Sequence, residues 1–168
     1  MNFERQFDAA VVSPFVRAYA AGRTPIPCVQ CNGELKFAQL LDRAAAFGAD
    51  AVATGHYARL DRDTDPDRIL LRRGLDPGKD QSYVLFTLGQ AELSRLLLPI
   101  GEHPKQEIRK IAADAGLPVA DKPDSQEICF IPDDDYRSFV GERTRPKPGD
   151  MVDVDGEILG RHPGVQFF

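Results

Sequence analysis

The sequence predicts an α/β fold that passes into a small β-rich segment near its C-terminal end, and three observations predict it. An apolar stripe at helical spacing, Leu35, Phe37, Leu40, Leu41, Ala44 and Ala45, runs into a short apolar strand, Asp50 to Thr54, so that a helix feeds a strand. Two further helical patterns follow a hairpin-like stretch. Beyond Pro146-Lys147-Pro148-Gly149 the character changes to strict alternation around Asp155-Gly156, a strong hairpin signal.

Taken in order, residues 3 to 12 read as one helix. Ser13-Pro14 then resembles an N-cap followed by proline at the first position of a second helix, which closes at Gly22. Pro25 and Pro27 impose an extended segment. Asn32 reads as the N-cap of the next helix, which stops at Phe47-Gly48. This places Cys28 and Cys31 at a helix N-terminus, where free N–H groups and the helix dipole stabilise a thiolate. After the strand at 50–54 come Gly55-His56. Tyr57 to Leu60 then pairs with Arg68 to Arg72 as a hairpin or edge pair. Gln90 to Leu98 and Lys105 to Ala115 read as helices, the second with Pro104 before it and Gly116 as its C-cap. A short helix at Tyr136 to Val140 follows Asp133-Asp134-Asp135. The expected division is 1–131 for the first domain and 132–168 for the start of a second.

Composition narrows the function classes. With 168 residues and 42% hydrophobic content the chain can bury one ordinary core, and disorder is a poor reading. No apolar run approaches the roughly 18 residues of a membrane helix, and Met1-Asn2-Phe3-Glu4-Arg5 is no signal peptide. A cytoplasmic protein without membrane contact is expected. Three cysteines cannot all pair within one chain, which leaves free, reactive or metal-bound thiols. A net charge of -5 supplies no global attraction to nucleic acid, so an RNA partner requires a local patch. Arg59, Arg62, Arg68, Arg72, Arg73 and Lys79 are interleaved with Asp61, Asp63, Asp65, Asp67 and Asp76; on charge alone that is a solvated loop.

Cys28-x-x-Cys31 admits four readings: a zinc half-site, an iron-sulfur ligand pair, a redox pair, and a nucleophilic cysteine with an accidental neighbour. Zinc needs four ligands, and only Cys129, His56, His103 and His162 remain to complete them. The redox reading lacks a strand directly before the motif. Three cysteines could ligate three irons of a four-iron cluster and leave one open. Cys129 lies between the polar run Asp124 to Glu127 and a short apolar segment, where a buried structural cysteine is the bland alternative. Gly74 to Tyr83 is a turn by composition.

Five segments in fixed order, "GRTPIPCVQCNGELKF", "GADAVATGHYARL", "LLRRGLDPGKDQSYVLFTL", "PVADKPDSQEICFIP" and "KPGDMVDVDGEILGRHPG", closely resemble the tRNA-specific 2-thiouridylases, over essentially the whole chain. The resemblance implies a partial Rossmann-like ATP pyrophosphatase domain of the adenine nucleotide α-hydrolase type, followed by the start of a β-rich central domain. It implies ATP with Mg2+, and as partners the tRNAs for Lys, Glu and Gln and an upstream persulfide donor. By motif position Cys31 corresponds to the nucleophile and Cys129 to the persulfide carrier, the two exchanging through a disulfide. Gly55 falls on an ATP-binding position. His56, Lys79, Asp80 and Gln81 match tRNA-contacting positions, and Ile26, Pro27 and Cys28 the stretch that meets the target base. The family's Ser-Gly-Gly-x-Asp-Ser phosphate loop does not occur in this sequence, so the chain alone is expected to be inactive. Some relatives carry Asp where Cys28 stands, a proton-transfer group, and others Cys as here; the cysteine puts a carboxylate role in doubt and keeps Cys28, Cys31 and Cys129 open as iron-sulfur ligands. The rival reading is a non-catalytic metal or iron-sulfur binding module on a related scaffold.

Overall fold

The computed structural model describes residues 3–65, 67–122, 128–131 and 135–168. The expected polar turn at Asp124 to Glu127 and the boundary at residue 132 lie outside them. In chain order the elements are α1 (Glu4–Phe7), a π-helical turn (Asp8–Val12), α2 (Ser13–Ala20), α3 (Pro27–Gln30), a second π-helical stretch (Cys31–Phe37) and α4 (Ala38–Ala46). Then follow β1 (Val52–Ala53), β2 (Ala58–Asp61), β3 (Leu70–Arg73), α5 (Gln90–Ser94), β4 (Leu96–Leu97), α6 (Lys105–Asp114), α7 (Tyr136–Gly141), β5 (Gly149–Val152) and β6 (Ile158–His162). By contact the chain groups into two compact units, Met1–Gln30 with Ser125–Phe168, and Cys31–Asp124.

In the first unit the two helices expected at the N-terminus are one continuous helical run. Pro14 has no N–H and its ring crowds the carbonyl four residues back. The wide π turn Asp8–Val12 comes just before it, and the helix continues instead of restarting. Ser13 is therefore not a cap: it has helical φ/ψ (-63°, -43°), and its hydroxyl donates to Asp8 Oδ2 at 3.0 Å. The core of this unit is aromatic. Phe15, Tyr19, Ile131 and Val140 are buried, with Val16, Ile128, Phe130, Tyr136 and Phe139 packed around them. The Phe15 ring meets Tyr19, Phe130 and Phe139 edge-on, at centroid distances of 4.9, 5.3 and 6.3 Å. The expected hairpin β5–β6 forms, Gly156 taking φ 89° while the Asp153 carboxylate accepts the Asp155 and Glu157 N–H groups.

The helical region around Cys28 and Cys31 begins earlier than the sequence suggests. Pro27 opens α3, and Asn32 lies buried within the π-helical Cys31–Phe37. Asn32 is not a cap, and the expected placement of Cys31 at a helix N-terminus is thereby corrected. The end is as expected. Gly22, Gly48 and Gly116, all at positive φ, close their helices with the same paired bonds; at Gly48 these are Ala49 N–H to Ala44 O and Gly48 N–H to Ala45 O, 2.8 and 3.0 Å.

The expected helix at 90–98 is half right. It ends at Ser94, and Leu96–Leu97 instead pairs parallel with β1, in the register Val52 to Leu96. Leu96 and Leu98 are buried and Leu97 is 52% exposed, the period of two of a strand. A run of three leucines carries no such period in its letters. Strands β2 and β3 form the expected antiparallel pair, Ala58 to Arg73. Helix α6 occupies the expected stretch and buries none of its residues. Parallel β1–β4 with flanking helices is a partial Rossmann-like α/β arrangement.

Candidate functional site

A lattice of backbone bonds in the second unit surrounds Tyr57, at the start of β2. Gln81 binds it twice: the Gln81 N–H donates to Tyr57 O at 2.8 Å, and Gln81 Oε1 accepts the Tyr57 N–H at 3.1 Å. Asp80 closes the turn before it. Its carboxylate accepts the Gly74 N–H at 2.8 Å and the Ser82 hydroxyl and N–H at 2.9 and 3.3 Å. Partial burial would push that carboxyl upward, but these donors and the nearby Arg73 charge outweigh it and hold it below its ordinary value. Asp76 ties in the third strand of chain: its Oδ2 accepts the Lys105 N–H at 3.0 Å and its carbonyl accepts the Lys79 N–H at 3.1 Å. Two glycines permit this approach. A Cβ on Gly74 would lie 2.8 Å from Tyr57 O, and one on Gly101 would collide with Ala58 O.

His56 precedes Tyr57 and is 8% exposed. Its Nδ1 lies 2.9 Å from Thr54 Oγ1, and its ring stacks at a tilt on Phe37, 5.7 Å between centroids. Burial, and secondarily the Lys36 charge, lower its pKa to about 4, so at neutral pH it is an uncharged imidazole. Such a ring offers one N–H donor and one acceptor, and no charge to a phosphate. Gly55, just beyond the end of β1, is exposed; a Cβ there would meet only Ile100 Cδ1, at 3.8 Å. The backbone at this strand end is open to a close-approaching ligand, which is where nucleotides sit against parallel strands.

The sequence-expected residues divide between the units. Cys31, Gly55, His56, Lys79, Asp80 and Gln81 belong to the second; Ile26, Pro27, Cys28 and Cys129 belong to the first. Within the second, the structure brings Asp80 and Gln81 together around Tyr57. In the first, Ile26 is 59% exposed, Pro27 is buried, and Cys28 and Cys129 are exposed. None of the three cysteines is in a disulfide, and Cys31 is half-buried. Among the described residues no group of three His, Cys, Asp or Glu side chains could hold a metal ion. Sequence reasoning missed Tyr57, Asp76, Gly101 and Lys105. The one signal available was glycine at 74 and 101, whose reason appears only when Tyr57 and Ala58 lie against them.

Residues 1–133 match the family described as the tRNA methyl transferase HUP domain. The chain belongs to this family. Curated relatives extend the likeness over the whole chain. It is 52% identical to the tRNA-specific 2-thiouridylase MnmA of Heliobacterium modesticaldum, covering 100% of this chain and 44% of that protein. The MnmA proteins of Chloroflexus aggregans and Rhodococcus erythropolis are each also 52% identical, over 99% of this chain and 47% and 44% of their own lengths. The chain thus spans about half the length of the curated relatives it matches. HUP domains are Rossmann-like α/β domains, in keeping with parallel β1–β4 and the open backbone at Gly55. No helix among the described residues is long and apolar enough to cross a membrane.

Proposed function

We propose that this chain is the part of a cytoplasmic tRNA 2-thiouridylase that carries both reactive cysteines, with residues 1–131 from its ATP pyrophosphatase-like domain and 132–168 opening its central domain. The observation that carries the reading is 52% identity, over essentially the whole of this chain, to proteins named tRNA-specific 2-thiouridylase. ATP is the co-substrate: adenylation converts O2 of the wobble uridine of the Lys, Glu and Gln tRNAs into a leaving group and releases pyrophosphate. Gly55 is the residue of this chain that would lie against the nucleotide.

Sulfur arrives on Cys129 as a persulfide from an upstream donor. Its terminal sulfur attacks C2, the C2–O bond breaks, and AMP leaves with the electron pair. The Cys31 thiolate then attacks Cys129 Sγ and breaks the sulfur–sulfur bond, leaving 2-thiouridine and a Cys31–Cys129 disulfide that a thiol reductant must reopen. Ile26, Pro27 and Cys28 would meet the target base. His56, being neutral, would contact the tRNA through a hydrogen bond, as would the turn at 79–81 elsewhere on it.

The test uses the full-length protein carrying this segment. Cys31→Ser and Cys129→Ser should each abolish thiolation while a gel shift shows tRNA affinity nearly intact, because phosphate contacts dominate binding. Thiolated product from either variant contradicts the assignment.

A further inference from the structure

The turn Lys79-Asp80-Gln81 does not present all three side chains outward. Gln81 spends its side-chain oxygen and its backbone N–H on Tyr57, and Asp80 spends its carboxylate on Gly74 and Ser82. Cations stand around the same lattice. Arg73 is exposed, ends β3 next to Gly74, and lies near enough to Asp80 to lower its pKa. Lys105 is fixed at its backbone by Asp76 and holds its Nζ 5.5 Å from the centre of the Tyr57 ring. Lys79 is anchored by its own N–H on Asp76 O. The acidic residues of the patch, Asp76 and Asp80, are both engaged by N–H donors, which offsets part of their charge. The nearby Glu102 and Glu107 lie against Arg59 and His103 at 3.5 and 3.2 Å.

We infer that Arg73 and Lys105 join Lys79 as contacts to the phosphate backbone of RNA, while Asp80 and Gln81 turn inward as positioning residues that hold the loop bearing those charges. The inference rests on the tRNA-acting reading above and assigns the partner's chemistry residue by residue. Three cations supported on one rigid lattice suit a sugar-phosphate strand, whose charges recur at fixed spacing and which carries no sequence requirement at these points. Asp80 distinguishes the idea from a merely charged surface. An anion standing free beside RNA repels it, so its removal should strengthen binding. An anion that closes the turn should, when removed, weaken binding in spite of the lost repulsion.

The experiment measures binding of the full-length protein carrying this segment to an unmodified tRNA transcript with a wobble uridine, across a series of salt concentrations. Arg73→Gln, Lys79→Gln and Lys105→Gln should each weaken binding and flatten the logarithmic salt dependence by about one. Asp80→Ala and Gly74→Ala should weaken binding with the slope unchanged. Asp80→Asn, which keeps an acceptor for the Gly74 N–H, should restore affinity to near wild type. Unchanged slopes in Arg73→Gln and Lys105→Gln overturn the phosphate assignment. Tighter binding by Asp80→Ala overturns the positioning role. Full-length wild-type protein that fails to bind tRNA overturns the RNA reading itself along with this inference, an outcome distinct from the other two.

Discussion

Lowering the pH from 7 to 5 should destabilise the unit that carries His56, and the size of the effect follows from its burial. In the unfolded chain the imidazole takes a proton near pH 6.5. In the fold, burial and then Lys36 lower that value to about 4. Between the two the unfolded state binds the extra proton, so acidification pulls the equilibrium toward unfolding, and stability rises with pH across this window. At about 1.4 kcal/mol per pKa unit, moving from pH 7 to 5 removes roughly 2 kcal/mol, trimmed toward 1 by whatever water reaches the ring. The carboxyls of Asp61, bonded first by the Thr64 hydroxyl, and Asp135, bonded first by the Ser138 hydroxyl, are held below the ordinary carboxylate range, so their proton linkage falls on the acid side of this window. They do not confuse the window. Urea unfolding of wild type and His56→Gln at pH 7 and pH 5 is the assay. Wild type should lose roughly 1 to 2 kcal/mol more than the variant over that step. Equal losses in the two proteins would mean that His56 is not held neutral by its surroundings, and would remove the argument that it meets RNA as a hydrogen-bonding group.

Other expectations are simpler. Phe15→Ala, which removes a fully buried ring with three edge-on aromatic partners, should cost about 3–5 kcal/mol in chemical denaturation of the first unit; a loss under about 1 kcal/mol would contradict the packing described. Gly101→Ala drives a Cβ onto Ala58 O and should cost about 1–3 kcal/mol, seen as a lower Tm, whereas Gly48→Ala meets no atom within 4 Å and should show only the strain of its positive φ. Pro14→Ala restores an N–H donor; if the proline is why the helix widens, amide exchange at residue 14 should show that new N–H protected.

The letters of the chain determined its punctuation and its chemistry. Gly22, Gly48 and Gly116 stop helices because only glycine enters the left-handed region without cost, and Asp155-Gly156 turns the last hairpin for the same reason. Five ordered segments were enough to identify a family that the comparisons bear out. Tertiary structure decided the rest. Leu96–Leu97 became a strand because β1 offered it a parallel edge, an interaction more than forty residues away that no local period records. Ser13 and Asn32 have the composition of caps, yet both sit inside helical stretches: a π turn lets the chain pass a proline at 14, and Asn32 lies within the π-helical Cys31–Phe37. Asp80 and Gln81 read as surface polar residues from their neighbours in sequence. Their acceptors and donors face inward only because Gly74 and Gly101 let two distant strands of backbone close on Tyr57 and Ala58, and a buried N–H or carbonyl must find its partner wherever folding brings one.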